Sequence, residues 1–166
     1  MTLARLVRHL LTTRLQVERH FPAQSLAAIK SAIETAESSH RGEIRFVIEA
    51  ALHPGRLMQG ITARERALEV FSLLRVWDTE HNNGVLIYLL LADKSVEIIA
   101  DRGIHARTGG DEAWQRIVCV MQDAFAKRRF EAGAVAGIVA AAEEMVKHFP
   151  SAGDYAGELP DEVTLL

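Results

Sequence analysis

Leu3, Leu6, Val7, Leu10, Leu11 and Leu15 recur at helical spacing, with arginines on the other faces. The pattern predicts a basic amphipathic helix over residues 3–18. Its leucine stripe is expected to pack on the domain or a partner, leaving Arg5, Arg8 and Arg14 free for an acidic surface. Phe21-Pro22 interrupts the pattern, which resumes with Leu26, Ile29, Ile33 and Ala36 as a second helix ending near Gly42. Glu43 to Ala50 then alternates at strand period. His53-Pro54-Gly55 is a turn signal, with His53 read as a loop residue. Thr62 with Glu65 three places on is a capping box for a helix reaching about Arg75.

Gly84 to Leu91 is a continuous apolar run, suited to a strand buried on both faces, and Val96 to Asp101 follows a polar turn at Asp93-Lys94. The two strands are expected to form an antiparallel hairpin centred on that turn, with Asp101 opposite Leu86 and Gly103 opposite Gly84. Helices over Asp111 to Lys127 and Glu131 to His148 follow. Gly133 and Gly137 are expected to let the last helix lie close against the sheet, and Cys119 to be a packed or half-exposed inert thiol. The element order points to an α/β fold, a three-layer α/β/α sandwich around a short mixed sheet. The chain divides into a basic helix over residues 1–20, an α/β domain over 21–150, and an acidic tail over 151–166 that drapes on the surface or moves.

At 166 residues, with 49% hydrophobic and 25% charged positions, the chain has the size and balance of one globular domain. A net charge of -3 argues against a nucleic-acid footprint. Cys119 is the only cysteine, so there is no intramolecular disulfide. No apolar stretch approaches the roughly 20 residues of a transmembrane helix. The arginines near the N-terminus interrupt any signal segment, so a soluble, cytoplasmic protein is expected.

The run Trp77-Asp78-Thr79-Glu80-His81-Asn82-Asn83-Gly84-Val85-Leu86-Ile87-Tyr88 is followed by Val96-Glu97-Ile98-Ile99-Ala100-Asp101-Arg102-Gly103-Ile104. Together with His40-Arg41-Gly42-Glu43-Ile44, it resembles the signature of the TPM domain family over about residues 25–149. The resemblance implies a compact α/β sandwich, an association with Ca²⁺, a link to acid phosphatase activity, and roles near membranes. No segment of this sequence is expected to serve as the signal or membrane anchor that many members carry.

The expected topology gathers Glu43, Asp78, Glu80, Asn82, Asn83 and Asp101 on one rim, because a right-handed crossover makes the first two strands parallel. Carboxylate and amide oxygens suit a hard cation such as Ca²⁺. Alternatively this is a solvated rim, with Asp78 or Thr79 capping a turn, Asn83 left-handed, and Asp101 paired with an arginine. Asp78, Asp101 and Arg102 are the weak candidates for catalysis: a cation held by the two aspartates would polarise a phosphoryl oxygen while Arg102 offsets charge. Other phosphate signatures are missing. Asp111 and Glu112 already occupy the helix start behind Gly109-Gly110, and the histidines lack metal-ligand spacing. Parallel sheets favour ligands at the carboxyl ends of their strands, which points instead to the His53 edge. The leading expectation is a divalent-cation-binding accessory module acting through a protein or membrane-surface partner, with no or weak catalysis. A metal-dependent phosphatase and a ligand-free interaction domain are the alternatives.

Overall fold

In the computed structural model, which describes residues 2–151 and 157–166, the described elements are eight helices and four strands. Strand β1 (Glu43–Glu49) runs parallel to β2 (Gly84–Leu90), and β3 (Ser95–Ala100) returns antiparallel to β2. A two-residue strand β4 (Thr164–Leu165) adds parallel to β1, giving the order β3-β2-β1-β4. The sheet is therefore open and mixed.

Helices α3 (Ala23–Glu37), α7 (Asp111–Ala126) and α8 (Phe130–His148) cover one face, where Ile33, Trp114, Met121 and Ile138 pack on Ile44, Phe46, Val85 and Ile87. The other face carries Val47, Leu86, Tyr88 and Ile99 under α5 (Ala63–Leu73) and the short α4 (Pro54–Met58). Each fully buried large side chain contributes about 1.5–3 kcal/mol, so both faces are held by the same kind of contact. The expected three-layer α/β arrangement is what forms.

β1 is buried along its whole length, including its polar positions. Glu49 is tolerated there because Tyr88 donates to its Oε2 at 2.7 Å and Arg66 Nε at 2.8 Å. Burial, then the Glu49 charge, raise the Tyr88 phenol far above its usual range and keep it a donor. The predicted capping box is present: Thr62 Oγ1 accepts from Glu65 N at 3.2 Å, and Glu65 Oε2 accepts from Thr62 N at 2.8 Å. His53, read as a loop residue, caps α4 by accepting from Gly55 N.

Several expectations are corrected. The first helix is two, α1 (Leu3–Leu11) and α2 (Arg14–His20), separated at Thr12-Thr13 by extended backbone. α1 docks through its polar side. Arg5 forks onto Asp93 and donates to Ile61 O at 2.8 Å, while His9 sits buried between Asp93 and the amide of Leu52. Most of the leucine stripe faces outward, with Leu3 76%, Leu10 59% and Leu11 67% exposed, while Leu6 packs against the cluster around Val47 and Leu86. Periodicity located the apolar face but not its direction, because a part-buried carboxylate partner, Asp93, outweighed it.

The hairpin turn spans Leu91 to Lys94, centred one residue earlier than expected, with Lys94 in the left-handed region at φ 51°. Leu86 therefore faces Ile99, and Asp101 faces Gly84, its N–H donating to Gly84 O at 2.9 Å. The two-residue shift keeps every side chain on its expected face. Gly133 and Gly137 fit α8 against α7 rather than the sheet, since an added Cβ would meet Phe125 and Ala124 at one and Met121 at the other. Cys119 is exposed.

The acidic end is partly built into the sheet. Leu166 N donates to Ile48 O at 2.9 Å, and Arg45 donates to Thr164 Oγ1 at 2.8 Å. Asp154, counted in the tail, lies outside the described residues.

Candidate functional site

The rim at the amino ends of β1 and β2 is shaped by close backbone approach. An added Cβ at Gly84 would overlap the carbonyl of Val76, and one at Gly103 would lie 2.5 Å from Asn82 O and 2.6 Å from His81 O. These two glycines let the loop of residues 74–83 press against the start of α6 (Arg102–Arg107). Gly103 N donates to Asn82 O at 2.9 Å, and Thr79 Oγ1 accepts from Asn83 N at 3.1 Å, closing the loop on itself. Asn82, not Asn83, takes the left-handed conformation at φ 51°.

The six rim residues divide by what their oxygens do. Asp101 is the N-cap of α6, accepting from Arg102 N at 2.7 Å through Oδ1, while its buried Oδ2 has no hydrogen-bond partner among the described residues. Asn83 Nδ2 donates to Arg41 O at 2.8 Å, and its buried Oδ1 is likewise without a donor. Asn82 Oδ1 accepts from Arg102 Nε at 3.2 Å. Asp78 lies in an exposed turn, 3.9 Å from Arg75, and Glu80 is exposed beside His81. No hydrogen bond or ion pair among the described residues joins Asp78 to Asp101.

Glu43 is fully buried and turned to the C-terminal segment, accepting from Glu158 N at 2.8 Å and Leu159 N at 2.9 Å. Glu37 stands beside it, accepting from Ile44 N at 2.9 Å. Burial first, then the Glu43 and Asp161 carboxylates, push the Glu37 carboxyl up to about 9. The sequence reading passed over Glu37. Its signal was position, since it falls four residues after Ile33 on the buried side of α3. His40 was also missed as a buried group. Desolvation lowers it to about 4, and because its Nδ1 accepts from Gly42 N, the neutral ring directs its other nitrogen, Nε2, into the interior without a partner among the described residues.

Among the described residues no three His, Cys, Asp or Glu side chains are arranged to hold a metal ion. What the rim offers is one carboxylate oxygen and one amide oxygen, both buried and lacking donors.

The family comparison matches the TPM domain over residues 18–144, which takes in this loop, the sheet pair and most of α8. The chain belongs to the TPM domain family. The same architecture recurs in the NMR structure of the BA42 protein from the psychrophilic bacterium Bizionia argentinensis. It is 33% identical, with a TM-score of 0.77 over 88% of this chain and 95% of that one. No curated protein matches the chain. The TPM match begins inside α2, so α1 and its Asp93 anchor residues lie before the matched region. No described helix is long and apolar enough to cross a membrane.

Proposed function

We propose that this TPM domain is an accessory module that binds a divalent cation weakly at the Asp101–Asn83 rim and works through a partner, with no or little catalysis of its own. The observation that carries the reading is the pair of buried acceptor oxygens, Asp101 Oδ2 and Asn83 Oδ1, that find no donor. Such orphans are uncommon and carry a desolvation cost that a cation would offset. A set with one negative charge suits a hard oxygen-seeking ion such as Ca²⁺ at the weak end of its range, on the order of 10⁻⁴–10⁻³ M. Asp101 and Asn83 would hold it, and its chemistry would be charge neutralisation where the loop entering β2 meets the start of α6. Asp78, Glu80 and Glu43 have other surroundings and are not needed.

Asparagine caps a helix as well as aspartate, so Asp101→Asn keeps α6 intact and removes only the charge. About 10 mM Ca²⁺ against that affinity adds about 1.4–2.7 kcal/mol to the native chain, raising Tm by about 3–10 °C. Asp101→Asn should show the native Tm in EDTA and lose most of the rise. Equal rises in both proteins would remove the cation from this rim. Phosphate release from a generic monoester in the same samples tests hydrolysis. Turnover that EDTA abolishes and Asp101→Asn reduces would favour the phosphatase alternative.

The partner half of the reading rests on α1, whose exposed Leu3, Val7 and Leu10 lie beside the exposed cation Arg8. Amphipathic basic helices of this kind settle on anionic membrane surfaces. The native chain should float with anionic liposomes at low salt, and the triple substitution Leu3→Ser, Val7→Ser, Leu10→Ser should abolish this without changing Tm. Negligible flotation of both would leave a protein partner for this face.

A further inference from the structure

A cavity of about 840 Å³ opens at the other end of the sheet, at the carboxyl end of β2, between the α1–α2 pair, the β2–β3 turn and the α7–α8 turn. Its volume falls in the range of small-molecule sites, and it lies where parallel strands commonly present ligands. The lining is divided by chemistry. Leu89, Leu91, Phe125 and Phe130 supply apolar surface, and Arg8, Arg19, Lys94 and Arg128 supply charge.

None of the described lining residues is a carboxylate. Asp93 is nearby, 3.5 Å from Arg8, but its oxygens are engaged by Arg5 and His9. Glu131, in the adjoining groove, accepts from Ser25 Oγ at 2.6 Å. Arg19, Lys94 and Arg128 make no side-chain hydrogen bond or ion pair with any described residue, so three cations surround an apolar floor without compensation. Lys94 and Arg128 also occupy left-handed backbone, at φ 51° and 58°. Glycine or asparagine takes that conformation at lower cost, yet a cation stands at both turns. His20 feels the same field. Stacked on Phe130 at 4.2 Å, it has its pKa lowered by burial and then by Arg128 and Arg19.

We infer that this cavity binds an anionic amphiphile of the fatty-acid class, its acyl chain over Leu89, Phe125 and Phe130 and its carboxylate among Arg19, Lys94 and Arg128. The guanidinium forks suit a carboxylate bidentately, and a neutral chain of equal length would leave the cations as uncompensated as before. The site is separate from the Asp101–Asn83 rim, so neither reading depends on the other.

The test uses the full chain and the fluorescent probe 11-(dansylamino)undecanoate, displaced by dodecanoate, dodecanol or inorganic phosphate. Dodecanoate should displace the probe below its micelle-forming concentration, and dodecanol and phosphate far less well. Arg19→Gln with Arg128→Gln should weaken dodecanoate about tenfold or more for each cation removed. Arg19→Lys with Arg128→Lys keeps the charge without the fork and should bind dodecanoate more tightly than the glutamine variant, separating lost charge from lost folding. Equal displacement by dodecanol, equal competition by phosphate, displacement only above micelle formation, or unchanged affinity in the glutamine variant would each overturn the assignment.

Discussion

Replacing Asp93 by alanine should destabilise the protein by about 2–4 kcal/mol and release its N-terminal helix. Asp93 is the shared acceptor of two groups that have left water: Arg5, which forks onto both oxygens, and His9, whose side chain is 1% exposed. Leu52 N donates to His9 Nδ1 at 2.9 Å, so the ring must donate from Nε2 to Asp93 at 3.0 Å. Without the carboxylate, a part-buried guanidinium keeps only its bond to Ile61 O and a buried ring N–H loses its acceptor, a loss of about 2–4 kcal/mol. Burial alone would raise the Asp93 carboxyl, but the hydrogen bonds from Arg5 and His9 and the Arg5 charge hold it below its ordinary value. Its contribution is therefore fully present above the unfolded value of 3.8 and is lost as pH falls through the lower folded value. Urea unfolding measures the cost, and trypsin should cut at Arg14 or Arg19 far sooner in Asp93→Ala than in the native chain. Asp93→Asn keeps an acceptor for His9 and should fall between them. If Asp93→Ala resists trypsin as the native protein does, the anchor is not what holds α1.

The same triad shows why part of this fold was legible in the sequence and part was not. Ile44, Phe46 and Ile48, the apolar run beginning at Gly84, and the Thr62–Glu65 box are local signals, and the elements they announce are present. The direction of α1 depended on Asp93, 88 positions from Arg5 along the chain, and no periodicity carries that information. The hairpin register depended on Lys94 accepting a left-handed conformation, which sequence alone does not favour. The strand register sets Glu43 and Asp101 on either side of Gly84, at one edge of the sheet. Its chemistry was read too generously, because backbone N–H groups of Glu158 and Leu159 claim Glu43 and exposure leaves Asp78 and Glu80 to solvent. The cationic cavity escaped notice because its four cations come from α1, α2 and two turns, none carrying a motif.

Glu37→Gln should flatten the dependence of stability on pH and leave the protein more stable than the native chain at pH 8, by up to about 5 kcal/mol. The native fold holds the Glu37 carboxyl up to about 9, against 4.5 when unfolded, so between these values the folded chain carries a proton the unfolded chain has released. Stability from this group is complete below pH 4.5 and declines as pH rises, with a limiting slope of about 1.4 kcal/mol per unit until the folded carboxyl ionises. Glutamine imitates the protonated acid. Its oxygen still accepts from Ile44 N, and its amide donates where the acid proton serves the Asp161 carboxylate, with no proton to exchange. Urea titrations at pH 5, 6.5 and 8 should find the two proteins within about 1 kcal/mol at pH 5 and diverging above it. The C-terminal segment supplies a second readout. Glu37 and Glu43 together hold residues 158–161, and beyond them β4 pairs with β1. Ionising Glu37 beside Glu43 should loosen that strand, so carboxypeptidase should trim the native chain faster at pH 8.5 than the Glu37→Gln variant, after correction for the enzyme's own pH profile. Parallel stability profiles together with equal trimming would show that Glu37 is ionised throughout and that the C-terminal strand is held without its proton.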